Sequence, residues 1–306
     1  MASSARKRWT KVDGVLLLDK PSGLSSNAAL QRARRVLQAE KGGHTGTLDP
    51  LASGLLPLCF GEATKFAQFL LDADKAYRAT VRFGIATDTL DAEGQVVGTQ
   101  PVTLDETQVR ALLPGLTGPQ LQTPPAHAAL KFRGRAYYDY ARAGEDIPRQ
   151  PRAITVHALS LVGWQAPDAL IDVTCSKGTY VRVLAADLGA RAGCGAHLAA
   201  LRRLRTGGFD VADAITLEAL ETLPPGQAAG HLLPVHTLLA GLPRAELDEV
   251  AAAAFLQGRA VAVPGAIDGP HGVFLHGRVL GVADVAGGLA QPRRTVAAPA
   301  SVGEAA

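Results

Sequence analysis

The chain has 306 residues, 47% hydrophobic and 19% charged, with a formal net charge of +3. That composition excludes a disordered chain, and the length favours one large domain with a smaller companion. No apolar run reaches the roughly 20 residues that span a bilayer, and the N-terminus lacks a signal peptide's apolar core and cleavage site, so a soluble cytoplasmic protein is expected.

Residues 1–11 read as a flexible basic arm. "VDGVLLLDKPSG" predicts a short buried strand ended by Lys20-Pro21 and a Ser22-Gly23 turn. Ser25 or Ser26 caps a helix predicted to run to about Lys41. Leu30, Ala33 and Leu37 form its apolar face, with Arg32, Arg34 and Arg35 off it. "GGHTGTLDPLASGLLPLCFG", residues 42–61, then sets one acid, Asp49, in a turn-rich and otherwise uncharged run. By itself Leu-Asp-Pro reads as a turn.

"EATKFAQFLL" predicts a short helix, and "AYRATVRFG" a strand with Tyr77, Ala79, Val81 and Phe83 on one face. "TDTLDAEG" reads as a polar turn and "TLDETQVRALLPGL" as a capped helix. Residues 122–152 mix prolines, rings and bases: Lys131, Arg133, Arg135, Arg142, Arg149 and Arg152 against Asp139, Glu145 and Asp146. "ALIDVTCSKGTYVRVLAADLGARAG" predicts a strand running into a helix. Alternation in "GTYVRV" sets Tyr180 and Arg182 on one strand face and Val181 and Val183 on the other. "LPPG" (223–226) and "AGLPRAE" (240–246) mark a linker, followed by short strands in "GVFLHGRVLGVADVAGG". Residues 297–306 read as a disordered tail.

Charge is unevenly spread. Residues 1–41 carry nine bases and three acids, whereas residues 210–251 carry one base and seven acids. Either one region faces a polyanion, or both are solvated helix faces. The three cysteines, Cys59, Cys175 and Cys194, fit neither a disulfide framework nor a common zinc pattern. A P-loop, a dinucleotide fingerprint and a His/Cys ligand cluster are all missing from the sequence.

"LLLDKPSGLSSN", "GHTGTLDPLASGLLPLCFGEATK", "TDTLDAEG", "CSKGTYVRVLAADLG" and "CGAHLAALRRL" together resemble, in order and spacing, the TruB-type bacterial tRNA pseudouridine synthases. The likeness covers roughly residues 12–210. It implies an α+β catalytic domain on a mixed, mostly antiparallel sheet over residues 12–240. A small C-terminal PUA-like β-domain would follow at 241–296. It also implies isomerisation of uridine 55 in the tRNA T loop without cofactor or metal, in agreement with the motifs the sequence lacks, with tRNA as the partner, no obligate protein partner and a monomer as the default.

The residues then take roles under that resemblance. Glycosidic cleavage calls for a carboxylate as nucleophile or base, which is Asp49. Desolvation of that acid calls for a cation, which is Arg182, with Tyr180 beside it. Tyr77 matches the stacking tyrosine for an extruded base, and His44 the residue that fills the vacated space. Leu201 is expected to wall the pocket. Lys20 is expected to support the loop or touch RNA, and Arg202, Arg203 and Arg205 to contact phosphates. One stretch departs from the family pattern: "PPAHAALK" has His127 and Ala128 where a tyrosine and a serine are usual. Three other readings compete: a guide-RNA-dependent synthase, a tRNA-folding chaperone, and a glycosidase-like hydrolase. The last would want two carboxylates, and the 42–61 run offers one.

Overall fold

The computed structural model describes residues 9–297. The first half alternates strands with short helices: β1 (Gly14–Lys20), α1 (Ser26–Leu37), β2 (Gly42–His44), β3 (Ser53–Phe60), α2 (Ala67–Leu71), β4 (Lys75–Phe83), β5 (Ile85–Thr87), β6 (Val96–Thr99) and α3 (Glu106–Leu112). An irregular stretch follows, with β7 (Gly118–Gln122), β8 (Lys131–Phe132), β9 (Arg135–Ala136) and α4 (Tyr137–Arg142). The centre of the domain is completed by β10 (Arg152–Gln165), β11 (Asp168–Cys175), α5 (Val181–Ala192) and β12 (Ala196–Thr206). Smaller pieces close it: β13 (Phe209–Asp210), β14 (Ile215–Thr216), α6 (Leu217–Thr222) and β15 (Leu232–Leu233).

One sheet organises these elements, in the order β14-β1-β3-β12-β4-β11-β10-β7. Its β1–β14 and β12–β3 pairs are parallel and its other pairs antiparallel, so the sheet is mixed and mostly antiparallel. The VLLL run of β1 is apolar on both sides because both sides are covered. Leu16 and Leu18 pack under α1 and α6, while Val15 and Leu17 pack with Leu238, Leu239 and Val282. Tyr77 and Leu201 touch both of the main core clusters, one built around β1, β3 and α1 and the other around β4, β11 and α5.

A second, five-stranded sheet is formed by β16 (Arg244–Glu246), β17 (Val261–Ala262), β18 (Gly269–Leu275), β19 (Arg278–Ala286) and β20 (Leu289–Thr295), with α7 (Glu249–Leu256) against it. The "AGLPRAE" stretch is therefore not all linker: Arg244–Glu246 pairs in parallel with β18. Ala297, assigned to the tail, donates its N–H to Glu62 at 2.7 Å; the rest of that tail lies outside the described residues.

The N-terminal arm also needs correcting. Residues 1–8 lie outside the described residues, but Thr10 pairs with Ala39, and Trp9 stacks under Arg34 at 4.6 Å. Helix α1 starts from a Ser25 cap as expected, but stops at Leu37 rather than Lys41 because Gln38 turns left-handed (φ 52°). The two oppositely charged regions meet: Arg32 on α1 forms an ion pair with Glu221 on α6. Part of the charge asymmetry is thus spent inside the fold.

Candidate active site

Local hydrogen bonds fix the loop that carries Asp49. Ser26, the first residue of α1, accepts from the Leu48 N–H at 2.8 Å and donates to the Leu48 carbonyl at 2.9 Å. The Pro50 carbonyl accepts from Gly23, and the Asp49 carbonyl from Ala52. Lys20 is fully buried and donates to the Pro21 and Leu24 carbonyls at 2.8 and 2.6 Å. These bonds tie it to the turn between β1 and α1, which the Gly23–Pro50 bond joins to the Asp49 loop. Burial, then repulsion from Arg203, lowers its pKa to about 8.

Arg182 comes from a different local structure than alternation suggests. Residues 181–192 are helical, so Tyr180 is the N-cap of α5 and Arg182 lies in its first turn. The β-branched "TYVRV" is overridden by the helix-forming "LAADLGARA" that follows it. Gln122 holds this corner by donating to the Tyr180 carbonyl at 3.2 Å and accepting from its N–H at 2.8 Å. A cation at a helix N-terminus opposes the helix dipole, so Arg182 needs acids, and it has two. Its Nη2 lies 3.1 Å from Asp49 Oδ2 and donates to the His127 carbonyl at 3.0 Å, while Nη1 reaches Asp91 Oδ2 at 3.3 Å.

Asp91 is the residue that sequence reading missed. It stands in "TDTLDAEG", which reads as a polar turn, yet the side chain is buried. Leu90 before it adopts φ 66°, a conformation costing about 1–2 kcal/mol in a non-glycine residue. The turn is stapled to β12 by reciprocal backbone bonds between Leu90 or Ala92 and Leu198. An acid inside a quoted motif was the available signal, but nothing local shows that it faces Asp49.

Asp49 is not a dry charge in the free protein: its side chain is 46% exposed. Protein crowds it on the remaining sides, and this desolvation raises its pKa above the usual carboxylate value. Arg182 opposes the rise, Asp91 adds to it, and Lys20 opposes it. Asp49 and Arg182 stand where two cavities meet. The first, of about 320 Å³, is also lined by Tyr77, Tyr180, Leu201, Lys75 and Arg203. The second, of about 580 Å³, holds His44, Asp91, Glu93, His127, Tyr138 and Arg142. Nδ1 of His44 and Nδ1 of His127 are buried there without a hydrogen-bond partner. Burial, then Arg203, lowers the His44 pKa, which favours a neutral imidazole.

The arginines expected to contact phosphate are divided. Arg202 forms a two-pronged pair with Asp19, Arg203 is buried, and Arg205 is exposed. Among the described residues no cluster of three or more His, Cys, Asp or Glu could hold a metal, and no helix is long and apolar enough to cross a membrane.

This arrangement presents an ionisable carboxylate, a buried guanidinium and two aromatic rings to a nucleotide-sized space. The N-terminal domain of the TruB family of pseudouridylate synthases matches residues 34–181, and the family's two C-terminal domains match 182–240 and 243–296. The tRNA pseudouridine synthase B of Aromatoleum aromaticum is 54% identical over 291 residues, covering 95% of this chain and 94% of that protein. This chain belongs to the TruB family of pseudouridine synthases. A second TruB relative, the tRNA pseudouridine synthase B of Dechloromonas aromatica, is 50% identical over 292 residues, covering 95% of this chain and 98% of that protein. A solved Cbf5-Nop10-Gar1 complex shares the TruB fold with a TM-score of 0.74 at 24% identity, over 92% of this chain and 84% of the matched one.

Proposed function

We propose that this enzyme isomerises uridine to pseudouridine at position 55 in the T loop of tRNA, with Asp49 as the essential carboxylate. The reaction is an internal transfer: the bond from ribose C1′ to N1 breaks, a C1′–C5 bond forms, C5 loses a proton and N1 gains one. The formula is unchanged, so no oxidant, reductant or second substrate enters the balance.

One observation carries the reading: the Asp49 carboxylate and the Arg182 guanidinium, 3.1 Å apart, form the common wall of the two cavities. A uridine drawn out of its loop enters the first cavity between Tyr77, Tyr180 and Leu201. Stacking there returns about 1–3 kcal/mol of the cost of extrusion. Seating the nucleotide displaces water from Asp49, which sharpens its interaction with Arg182 and with the sugar. Asp49 then acts on the ribose or the base as nucleophile or as base. The neighbouring nucleotides lie along the second cavity, beside His44 and the 122–152 segment with Arg142. Tyr138 stacks on that arginine at 5.4 Å.

Asp91 does not make the site a glycosidase. It shares the Arg182 guanidinium with Asp49 and is buried, so it braces the cation rather than activating water across a sugar. The test is incubation of purified protein with unmodified tRNA carrying tritium at uridine C5. Release by the wild type and none by Asp49→Asn is the expected result. A folded wild-type protein that releases none refutes the reading.

A further inference from the structure

Strand β7 is built against its own polarity. Leu121 is 72% exposed and Gln122 5% exposed, so the strand turns its leucine to solvent and its glutamine inward. The pairing of Leu121 with Ala153 and of Gln122 with Arg152 fixes that register, and a slip of one residue would exchange the two side chains. Packing alone favours the exchanged arrangement, because a buried amide is costly unless it is hydrogen-bonded. Here both ends of the amide are bonded, and to one residue. Gln122 Oε1 accepts from the Tyr180 N–H at 2.8 Å, and Nε2 donates to the Tyr180 carbonyl at 3.2 Å.

This pair does for Tyr180 what a neighbouring strand would do. It fixes the peptide planes on both sides of one α-carbon, at φ −99° and ψ 107°, and with them the direction in which the ring leaves the chain. Tyr180 is the N-cap of α5 and its side chain makes no capping bond. The first turn, with Arg182, therefore takes its bearing from the Gln122 amide. The same segment returns to this corner at His127. The His127 carbonyl accepts from Arg182 Nη2 at 3.0 Å, and that nitrogen also lies 3.1 Å from Asp49. Between the two grips stand Pro124 and Pro125, both buried, and Arg149 donates to the Pro124 carbonyl at 3.2 Å. Two prolines with fixed φ leave this strap little freedom.

We infer that Gln122 is a positioning residue for the reaction: it fixes the Tyr180 backbone and, with the His127 carbonyl, sets where the Arg182 guanidinium stands against Asp49. The inference rests on the uridine-isomerase reading. A displacement of about 1 Å in a group aimed at the reacting centre can slow a reaction about 10²-fold. Displacing Arg182 also has a signature in pH. Arg182 opposes the desolvation that raises the Asp49 pKa, so weakening its hold raises that pKa further and moves the acid limb of the rate profile up. The other titratable groups that feel the Asp49 charge are Lys20 at the end of β1, Tyr77 on β4, Asp91 and Glu93 in the "TDTLDAEG" turn, and Tyr180. A substitution at Gln122 removes none of them.

The test uses a T stem-loop RNA carrying tritium at uridine C5 and compares the wild type with Gln122→Met and Gln122→Asn. Methionine matches glutamine in length but makes neither bond; asparagine is polar but one methylene too short to reach both groups. Single-turnover rates over a pH series, RNA Kd values and melting curves are measured for all three. Each variant is expected to slow the single-turnover step at least about tenfold, with its acid limb shifted up. Kd should stay within about twofold of the wild type, because phosphate contacts supply most of the affinity. If Gln122→Met fails to fold, Gln122→Asn decides, since it keeps a polar amide at the same place. A merely structural Gln122 lowers the melting temperature alone and leaves the rate and the acid limb of the folded protein as in the wild type; that result overturns the inference. So does a slower step with an unmoved acid limb, or a loss confined to Kd. In each of these cases tritium release by the wild type leaves the Asp49 reading intact. No release by the wild type removes both.

Discussion

Replacing Arg182 by methionine removes the one cation that two carboxylates share, and the consequence for folding follows from the unequal burial of those acids. The Asp49 side chain is 46% exposed and can be rehydrated, whereas that of Asp91 is 4% exposed. Asp91 Oδ1 would keep its bonds from the Thr89 hydroxyl (2.6 Å) and the Glu93 N–H (3.1 Å), but Oδ2 would lose Arg182. Stranding one charge of a buried pair costs about 3–5 kcal/mol, and the two surviving bonds put this case near the lower end. At about 2–4 °C per kcal/mol for a chain of this size, Arg182→Met should melt roughly 6–12 °C below the wild type. Adding Asp91→Asn removes the stranded charge, so the double variant should regain more than half of that loss while activity stays absent. Differential scanning calorimetry on the three proteins measures both steps. An Arg182→Met protein that melts within about 2 °C of the wild type, or a double variant no more stable than the single, would show that Asp91 is not held by Arg182 in the way described.

Asp49→Asn should reduce tritium release by at least about 10³-fold, yet shift the melting temperature little, because its side chain is half exposed; a large loss of stability would contradict that geometry. The acid limb of the rate profile should lie above the ordinary carboxylate range, because burial raises the Asp49 pKa and the reacting form is the ionised one. Two variants should move that limb in opposite directions. Asp91→Asn removes a charge that raises the pKa and shifts the limb down; Lys20→Met removes one that lowers it and shifts the limb up. Single-turnover rates over a pH series read both, and movement in the same direction would refute the assignment of causes. RNA affinity should fall at least about tenfold between 50 and 200 mM salt as phosphate contacts displace counterions; filter binding that stays flat would refute phosphate contact by the arginines of the 122–152 segment.

The sequence alone determined the local parts of this protein. A doubly apolar β1 follows from Val15–Leu18, the Ser25 cap of α1 from its serine, and the position of Asp49 in a rigid turn from its glycines and Pro50. These depend on neighbours within a few residues, where periodicity and turn chemistry act. Tertiary structure decided everything that needed two distant segments. It brought Asp91 to Arg182 across 91 positions, buried Arg203 beside Tyr77 on the neighbouring strand, and matched Arg32 with Glu221 across 189 positions. An arginine reads the same in a string of letters whether it meets a phosphate, a carboxylate or two backbone carbonyls. Only the register of β12 against β3 and β4 fixes which partner is within reach, and how much water remains to screen the charge.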